Sequence, residues 1–386
     1  MAGTVPYHPA FAPAEYAQQL EAKRGGVEDA FGGHLQAPLQ VETFGSPPQH
    51  FRYRCRFAVA EDGEGALKHA LLQGGQERVL VEDFPIASRR ITELMPAVMR
   101  AVGAREELRA GLRAVHYLST TTGDCLLTLI YGPDRPLDGR SFRPEAETLR
   151  RALGLSGCCG RSKGVAVTAG QEEAGRGFVT ESVALADGRL LTYRQLEGSF
   201  SNPNPHVAKA SLDWLSDVAG RVDDSDLLEL YCGNAHHTCA LAPRFRKVLG
   251  VEIDKALVAV GNFNLRKNGV AHRSRVLQSP SATYCTRLAR NRTWTDPILG
   301  ELSFGAILVD PPRAGLDEET HRACARFDRI MYISCNPKTL RDALEGWEAT
   351  HTVERFALFD HFPYSGHLEC GAYLVRRGFV PARRGS

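Results

Sequence analysis

A chain of 386 residues is longer than one hydrophobic core usually serves, so two domains are expected. Hydrophobic residues make up 43% and charged residues 24%, and no apolar run nears the roughly 18 residues of a membrane helix, so nothing points to a disordered, fibrous or membrane-spanning chain. A net charge of +2 gives no global field, so contact with nucleic acid must come from local basic faces.

The first residues lack a basic start followed by an apolar run, so no secretory signal is expected and the protein is read as cytoplasmic. PAEYAQQLEAKRGGVEDAF (13–31) predicts a polar helix interrupted at Gly25–Gly26. In HFRYRCRFAVA (50–60), Phe51, Tyr53, Cys55 and Phe57 alternate with Arg52, Arg54 and Arg56. A strand there carries three arginines on one face, turned either to phosphates or simply to water. ERVLVEDF (77–84), AVHYLSTTTG (114–123), DCLLTLIYG (124–132) and ESVALADGRLLTYRQ (181–195) continue the β pattern, with helical stretches such as RRITELMPAVMRAV (89–102) between them. Residues 1–195 therefore read as an α+β domain with a largely antiparallel sheet.

From 196 to 386 the rhythm changes. DLLELYC, KVLGVEI, FGAILVD and RIMYISC are strand patterns separated by helical ones such as ALVAVGNFNLRKNG and KTLRDALEGW. Strands alternating with helices predict a doubly wound parallel sheet. VERFALFDHF and HLECGAYLVRR have no helix between them and predict an antiparallel pair at one edge, after which PARRGS reads as frayed.

Ligands of such a sheet gather at the C-terminal ends of its strands. LLELYCGNAHHT (227–238) supplies the first strand and turn, and Glu252 follows Gly233 by nineteen residues, where an acid suits a ribose hydroxyl. That loop, with one glycine, is equally compatible with a purely structural turn. In ILVDPPRAGLD (307–317), Pro311–Pro312 stiffens the loop so that Asp310 can face a planar base, unless Asp310 only caps the next helix. Cys335 ends the following strand twenty-five residues later, before Asn336–Pro337, at a neighbouring mouth. Glu369 stands between Leu368 and Cys370 in an apolar run. Buried there it would have a raised pKa and act as a proton acceptor; on a wet edge it would be an ordinary surface acid. Asn202 and Asn204 either bond a ligand or shape their turn. The ten cysteines include no C-x-x-C pair, so no zinc, iron–sulfur or other metal site is expected.

SFSNPN, LLELYCGN, VDPPRAGLD, YISCNP and LFDHFPYSGHLECG together resemble the RNA uracil-C5 methyltransferases, on the branch that acts on tRNA. HFRYRCRF, VEDFP, HYLSTTTG and LLTYRQLEGSF extend the resemblance over nearly the whole chain. It implies a C-terminal class I, Rossmann-like methyltransferase domain (196–386) behind an N-terminal RNA-binding domain (1–195). It further implies that Cys335 adds as thiolate to uracil C6 and that Glu369 removes the C5 proton. Asn202, Tyr231, His236, Glu252 and Asp310 then bind S-adenosyl-L-methionine. The implied partner is the T-arm of tRNA, with tmRNA as a further candidate, contacted by Arg52, Arg54, Arg56, Arg113 and Arg313; a monomer is expected.

Three departures from the family pattern stand out. Gly233-Asn234-Ala235-His236-His237 replaces Gly-Asn-Gly-Asn-Phe, Asn202 stands where glutamine is expected, and Arg113 replaces an aromatic. Ribosomal relatives often add a cysteine cluster and a β-barrel module, and neither pattern occurs here. A ribosomal-RNA uracil-C5 methyltransferase, and a tRNA-binding folding factor with weak catalysis, are the rival readings.

Overall fold

The computed structural model describes residues 11–34, 40–73, 77–169, 177–220, 225–290 and 294–379. The first ten residues and the terminal PARRGS segment, both singled out in the sequence, lie outside the described residues. The chain divides into two compact units. One holds Met1–Ala14, Pro47–Ser182 and Arg194–Pro205; the other holds Glu15–Ser46, Val183–Tyr193 and His206–Ser386.

Among the described residues, the larger unit is built on an eight-stranded sheet. Its strands are β1 (Val41–Phe44), β2 (Asp226–Leu230), β3 (Val248–Glu252), β4 (Ser274–Gln278), β5 (Phe304–Val309), β6 (Arg329–Ser334), β7 (His351–Phe359) and β8 (Glu369–Arg376), in the spatial order β1-β7-β8-β6-β5-β2-β3-β4. Every pairing is parallel except those of β8, which runs antiparallel to both β6 and β7. Every residue of β2, β3 and β6 is buried, because helices cover both faces, and this is why these strands read as nearly unbroken apolar runs.

The sequence expectations need two corrections here. The last strand pair does not form the edge: β1 adds in parallel outside β7, pairing Val41 with Phe356 through Phe44 with Phe359. Nor does the expected division at 195 hold for the N-terminus, since residues 15–46 belong to the larger unit.

The N-terminal helix, Tyr16–Phe31, runs without a break through Gly25–Gly26, although two glycines in a helix interior cost roughly 1 kcal/mol each. Tertiary contacts outweigh that cost. Tyr16, Val27 and Phe31 are buried, and the Phe31 ring lies 4.8 Å from that of Phe356. Tyr16 Oη and Lys23 Nζ donate to the two oxygens of the buried Asp360 at 2.9 and 2.7 Å, and Lys23 also reaches the Phe362 carbonyl at 3.0 Å. This helix thereby holds the connection between β7 and β8.

The smaller unit carries a seven-stranded sheet in the order Glu77–Val81, Leu67–Gln73, Arg54–Glu61, Leu112–Ser119, Cys125–Tyr131, Gly157–Ser162, Val165–Ala169. Among the described residues its one parallel pairing, Cys125–Tyr131 with Gly157–Ser162, is bridged by the helix Gly139–Ala152. Among the described residues no helix is long and apolar enough to cross a membrane.

Lys23→Met removes the cation from the buried Asp360 while keeping the aliphatic bulk. Urea denaturation should show a loss of about 3 kcal/mol, the usual effect of leaving one partner of a buried pair uncompensated. A loss below about 0.5 kcal/mol, the scale of an exposed pair, would mean that other contacts hold this connection.

Candidate active site

The C-terminal ends of β2, β3, β5 and β6 open on one side of the sheet, and the sequence-predicted residues of the larger unit gather there. Cys335 follows β6 directly. It is the one exposed cysteine; the other nine are buried. Asn336 caps the helix Pro337–Trp347, accepting from Lys338 N at 3.2 Å, and its amide donates to the Arg313 carbonyl at 2.9 Å. This bond ties the Asp310–Pro311–Pro312 loop to the cysteine loop. The loop packs so closely that a β-carbon on Gly315, which sits at φ +81°, would lie 2.8 Å from Thr339 Cβ.

Strand register brings in the carboxylate. Ser334 pairs with Cys370 and Phe359 with Glu369, so Cys335 and Glu369 occupy the next opposed positions at the mouth. Asp310 follows β5, whose Val309 pairs with Tyr332. Acids crowd this space. Desolvation, then the charges of Glu369 and Glu229, push the Asp310 carboxyl well above the ordinary range. Glu229, buried in β2, is raised to about 8 by burial although Thr238 donates to it. The Cys335 thiol is pushed up by desolvation and by Glu369 and Asp310, against a smaller opposing pull from Arg313. At neutral pH the resting thiol is therefore protonated.

A second group of residues forms a cleft of about 220 Å³ beside this mouth, lined by Tyr231, Val251, Glu252, Ile253, Pro280, Ser281, Ala282 and Asp317. Glu252 accepts from Gly233 N at 3.0 Å and from Asp254 N at 2.8 Å, which fixes its carboxylate at the end of β3. Ile253 is 65% exposed, an apolar surface available to a planar ring. Tyr231 adopts φ +61° and its hydroxyl donates to Asp317 at 3.3 Å. This combination of a fixed carboxylate and an apolar wall fits a nucleoside-bearing cofactor. The departure from the family pattern falls on a demanding position, because Ala235 has φ +64°, a conformation that glycine adopts freely and alanine does not. His236 follows it with a buried Nε2 that lacks a partner among the described residues, and burial pushes its imidazole down to about 4. His237 is neutral for the same reason, with Nδ1 3.8 Å from Glu229. Among the described residues no cluster of three or more His, Cys, Asp or Glu side chains could hold a metal ion.

The remaining predicted residues lie in the smaller unit, except Arg313, which is exposed beside the cysteine loop. Arg54 and Arg56 share a face of the strand Arg54–Glu61, with Arg52 just before it. Desolvation, then the charges of Arg56 and Arg52, pull the Arg54 guanidinium below its ordinary range, against a partial offset from Glu197. His116, paired with Arg56 in the sheet, is pushed to about 4 by burial and by Arg56, Arg54 and Arg161. Such self-repelling cations suit an anionic partner. Arg113 does not join them: it sits at the bulge between Leu112 and Ala114, 3.6 Å from Asp134. Asn202 lies half-buried in the Arg194–Pro205 segment. Sequence reasoning missed Ile253 and Asp317, although both directly continue motifs that it used. It also missed His361, whose Nε2 lies 3.0 Å from Glu369 Oε1.

Comparison with known proteins bears on this arrangement. The family described as tRNA (Uracil-5-)-methyltransferase matches residues 15–377. A tRNA/tmRNA (uracil-C(5))-methyltransferase of Stutzerimonas stutzeri is 43% identical over 376 residues, covering 96% of this chain and 99% of that protein. Its counterpart in Pseudomonas aeruginosa (strain LESB58) is 42% identical over 377 residues, with the same coverage. Among solved structures, the tRNA (uracil-54, C5)-methyltransferase of Pyrococcus abyssi in complex with S-adenosyl-L-homocysteine superposes with a TM-score of 0.70. It is 19% identical and covers 97% of this chain and 88% of that one, a likeness of fold.

Alkylation of Cys335 by iodoacetamide should titrate with a midpoint above the ~8.5 of an ordinary cysteine. Because Glu369 opposes the thiolate, Glu369→Gln should lower that midpoint, and Arg313→Ala should raise it. Mass spectrometry of the labelled peptide across pH reads both shifts; a midpoint at or below 8 would overturn this account of the thiol.

Proposed function

The chain belongs to the tRNA (uracil-5-)-methyltransferase family, and from that premise we propose that it uses S-adenosyl-L-methionine to methylate C5 of a T-arm uridine in tRNA, with tmRNA as a second substrate. The observation that carries this reading is Cys335, a lone exposed thiol set opposite Glu369 at the ligand-binding mouth of the sheet. Methylating an exocyclic amine would need neither group.

Uracil C5 is a weak nucleophile and must be activated. The exposed Cys335 thiol first loses its proton to solvent; as thiolate it adds to C6, and the electron pair displaced from the C5–C6 double bond makes C5 reactive. When bound, S-adenosyl-L-methionine supplies a methyl group activated by its sulfonium. Once C5 carries that methyl, Glu369 removes the C5 proton, the double bond reforms and Cys335 leaves. Burial of the uracil inside the mouth strengthens each of these charge interactions. Glu252 and Tyr231 would hold the adenosyl part in the cleft they line, with Asp310 and His236 completing the cofactor set; Asn202 joins it on the family likeness alone. The uridine must leave its loop to reach the thiol. Arg52, Arg54 and Arg56 hold phosphates and position the arm, while Arg313 meets RNA beside the cysteine and Arg113 stacks on a base.

A T-arm hairpin with 5-fluorouridine at the target position tests the reading, since fluorine cannot leave as a proton does. With S-adenosyl-L-methionine present, a covalent adduct should persist on a denaturing gel and vanish in Cys335→Ala. Tight binding without any adduct would move the assignment to a folding factor, and transfer to ribosomal fragments in place of the hairpin would move it to ribosomal RNA. For the basic face, Arg54→Ala should reduce the slope of log K against log salt by about one unit. An unchanged slope would mean that Arg54 meets no phosphate.

A further inference from the structure

Glu369 has a partner that the chemistry above does not use. His361 lies in the connection between β7 and β8, and its side chain is 0% exposed. Its Nε2 lies 3.0 Å from Glu369 Oε1, within ion-pair distance, although ring and carboxylate are not aligned as a hydrogen bond. The backbone that carries it is held on both sides. Asp360 N donates to the Phe44 carbonyl at 3.0 Å, and the Asp360 carboxylate takes the Tyr16 and Lys23 bonds already described. Other titratable groups face this pair. His236 and His237 approach from the start of the helix His236–Leu241, Asp310 from the end of β5, itself faced by Glu229 of β2, and Cys335 from the end of β6. Burial keeps both neighbouring histidines neutral at physiological pH.

We propose that His361 is the positioning partner of Glu369, aiming its carboxylate at the substrate and taking up the proton that Glu369 removes from C5. This rests on the methyltransfer reading above. In the step concerned, the C5–H electron pair becomes the C5–C6 double bond and the C6–S pair departs with Sγ of Cys335 as thiolate. The proton passes to a Glu369 oxygen and from Glu369 to Nε2 of His361, which restores the carboxylate. His361 touches one carboxylate oxygen, and the other remains to meet the substrate. The contact therefore acts late: it bears on elimination and not on addition of the thiol.

The test uses the full chain, S-adenosyl-L-methionine and a T-arm hairpin tritiated at uridine C5. In His361→Gln, release of tritium should slow by about tenfold or more, a part of the roughly hundredfold or greater assistance that a general base contributes, and the methylated covalent adduct should accumulate on ordinary uridine. The 5-fluorouridine adduct should still form at the wild-type rate, because addition precedes the step in question. Glu369→Gln should show the same accumulation, and the double variant no more than Glu369→Gln alone. Tritium release at the wild-type rate would overturn the proposal, as would equal slowing of adduct formation and release, which marks a merely structural role. If wild type forms no 5-fluorouridine adduct, the methyltransfer reading itself has failed and this proposal falls with it. Should His361→Gln not fold, ring ¹⁵N shifts decide the matter in wild type and Glu369→Gln. The His361 ring resonances should differ between the two proteins where the ring engages the carboxylate, and identical shifts would overturn the pairing.

Discussion

The arrangement of this site depends on the direction of one strand. β8 runs against both of its neighbours, so its first residue, Glu369, starts at the end of the sheet where β6 finishes with Ser334 and hands over to Cys335. Had β8 been parallel, its first residue would lie at the opposite end, roughly 20 Å away for a strand of this length at about 3.3 Å per residue. A register slip of one residue would turn the carboxylate to the other face. Thiol and carboxylate are thus brought together by a backbone ladder and not by side-chain packing, which gives their relation the rigidity of the sheet.

Around that ladder the electrostatics hold charge in reserve. Asp310 and Glu229 have raised pKa values, His236 and His237 are neutral, and the thiol is protonated at rest. A mouth so rich in acids, with so few protonated bases, is one that a cationic ligand completes. The arginine face of the smaller unit has the opposite imbalance, with cations that crowd one another until an anion arrives.

Much of this was legible in the sequence. Parallel strands enclosed on both sides must be apolar throughout, so β2, β3, β5 and β6 announced themselves, and Glu252, Asp310 and Cys335 at their ends followed from the rule that ligands bind there, while Tyr231 came from the family resemblance. The arginine alternation in 52–56 was equally plain. Other features left no local trace. β1 is four residues long, VETF, too short for any period to show, and only its pairing with β7 gives it a role. Gly25–Gly26 carries a breaker signal, and contacts with residues more than 300 positions away override it. Arg113, expected from the family resemblance, lies at a bulge between Leu112 and Ala114, a register irregularity that no local pattern foresees. The pairing of His361 with Glu369 depends on how a connection folds back, and eight residues of separation do not encode that.

The pairing of the N-terminal helix with the last two strands has a consequence for synthesis. Tyr16 and Lys23 meet Asp360 across 344 and 337 residues, with the smaller unit inserted between them. As the chain leaves the ribosome, the inserted sheet has all its strands early and can close on its own, while the helix ahead of it waits for a partner made near the end. The half that carries Cys335 and Glu369 is the last to assemble, and a truncated or stalled product presents the arginine-bearing sheet without them.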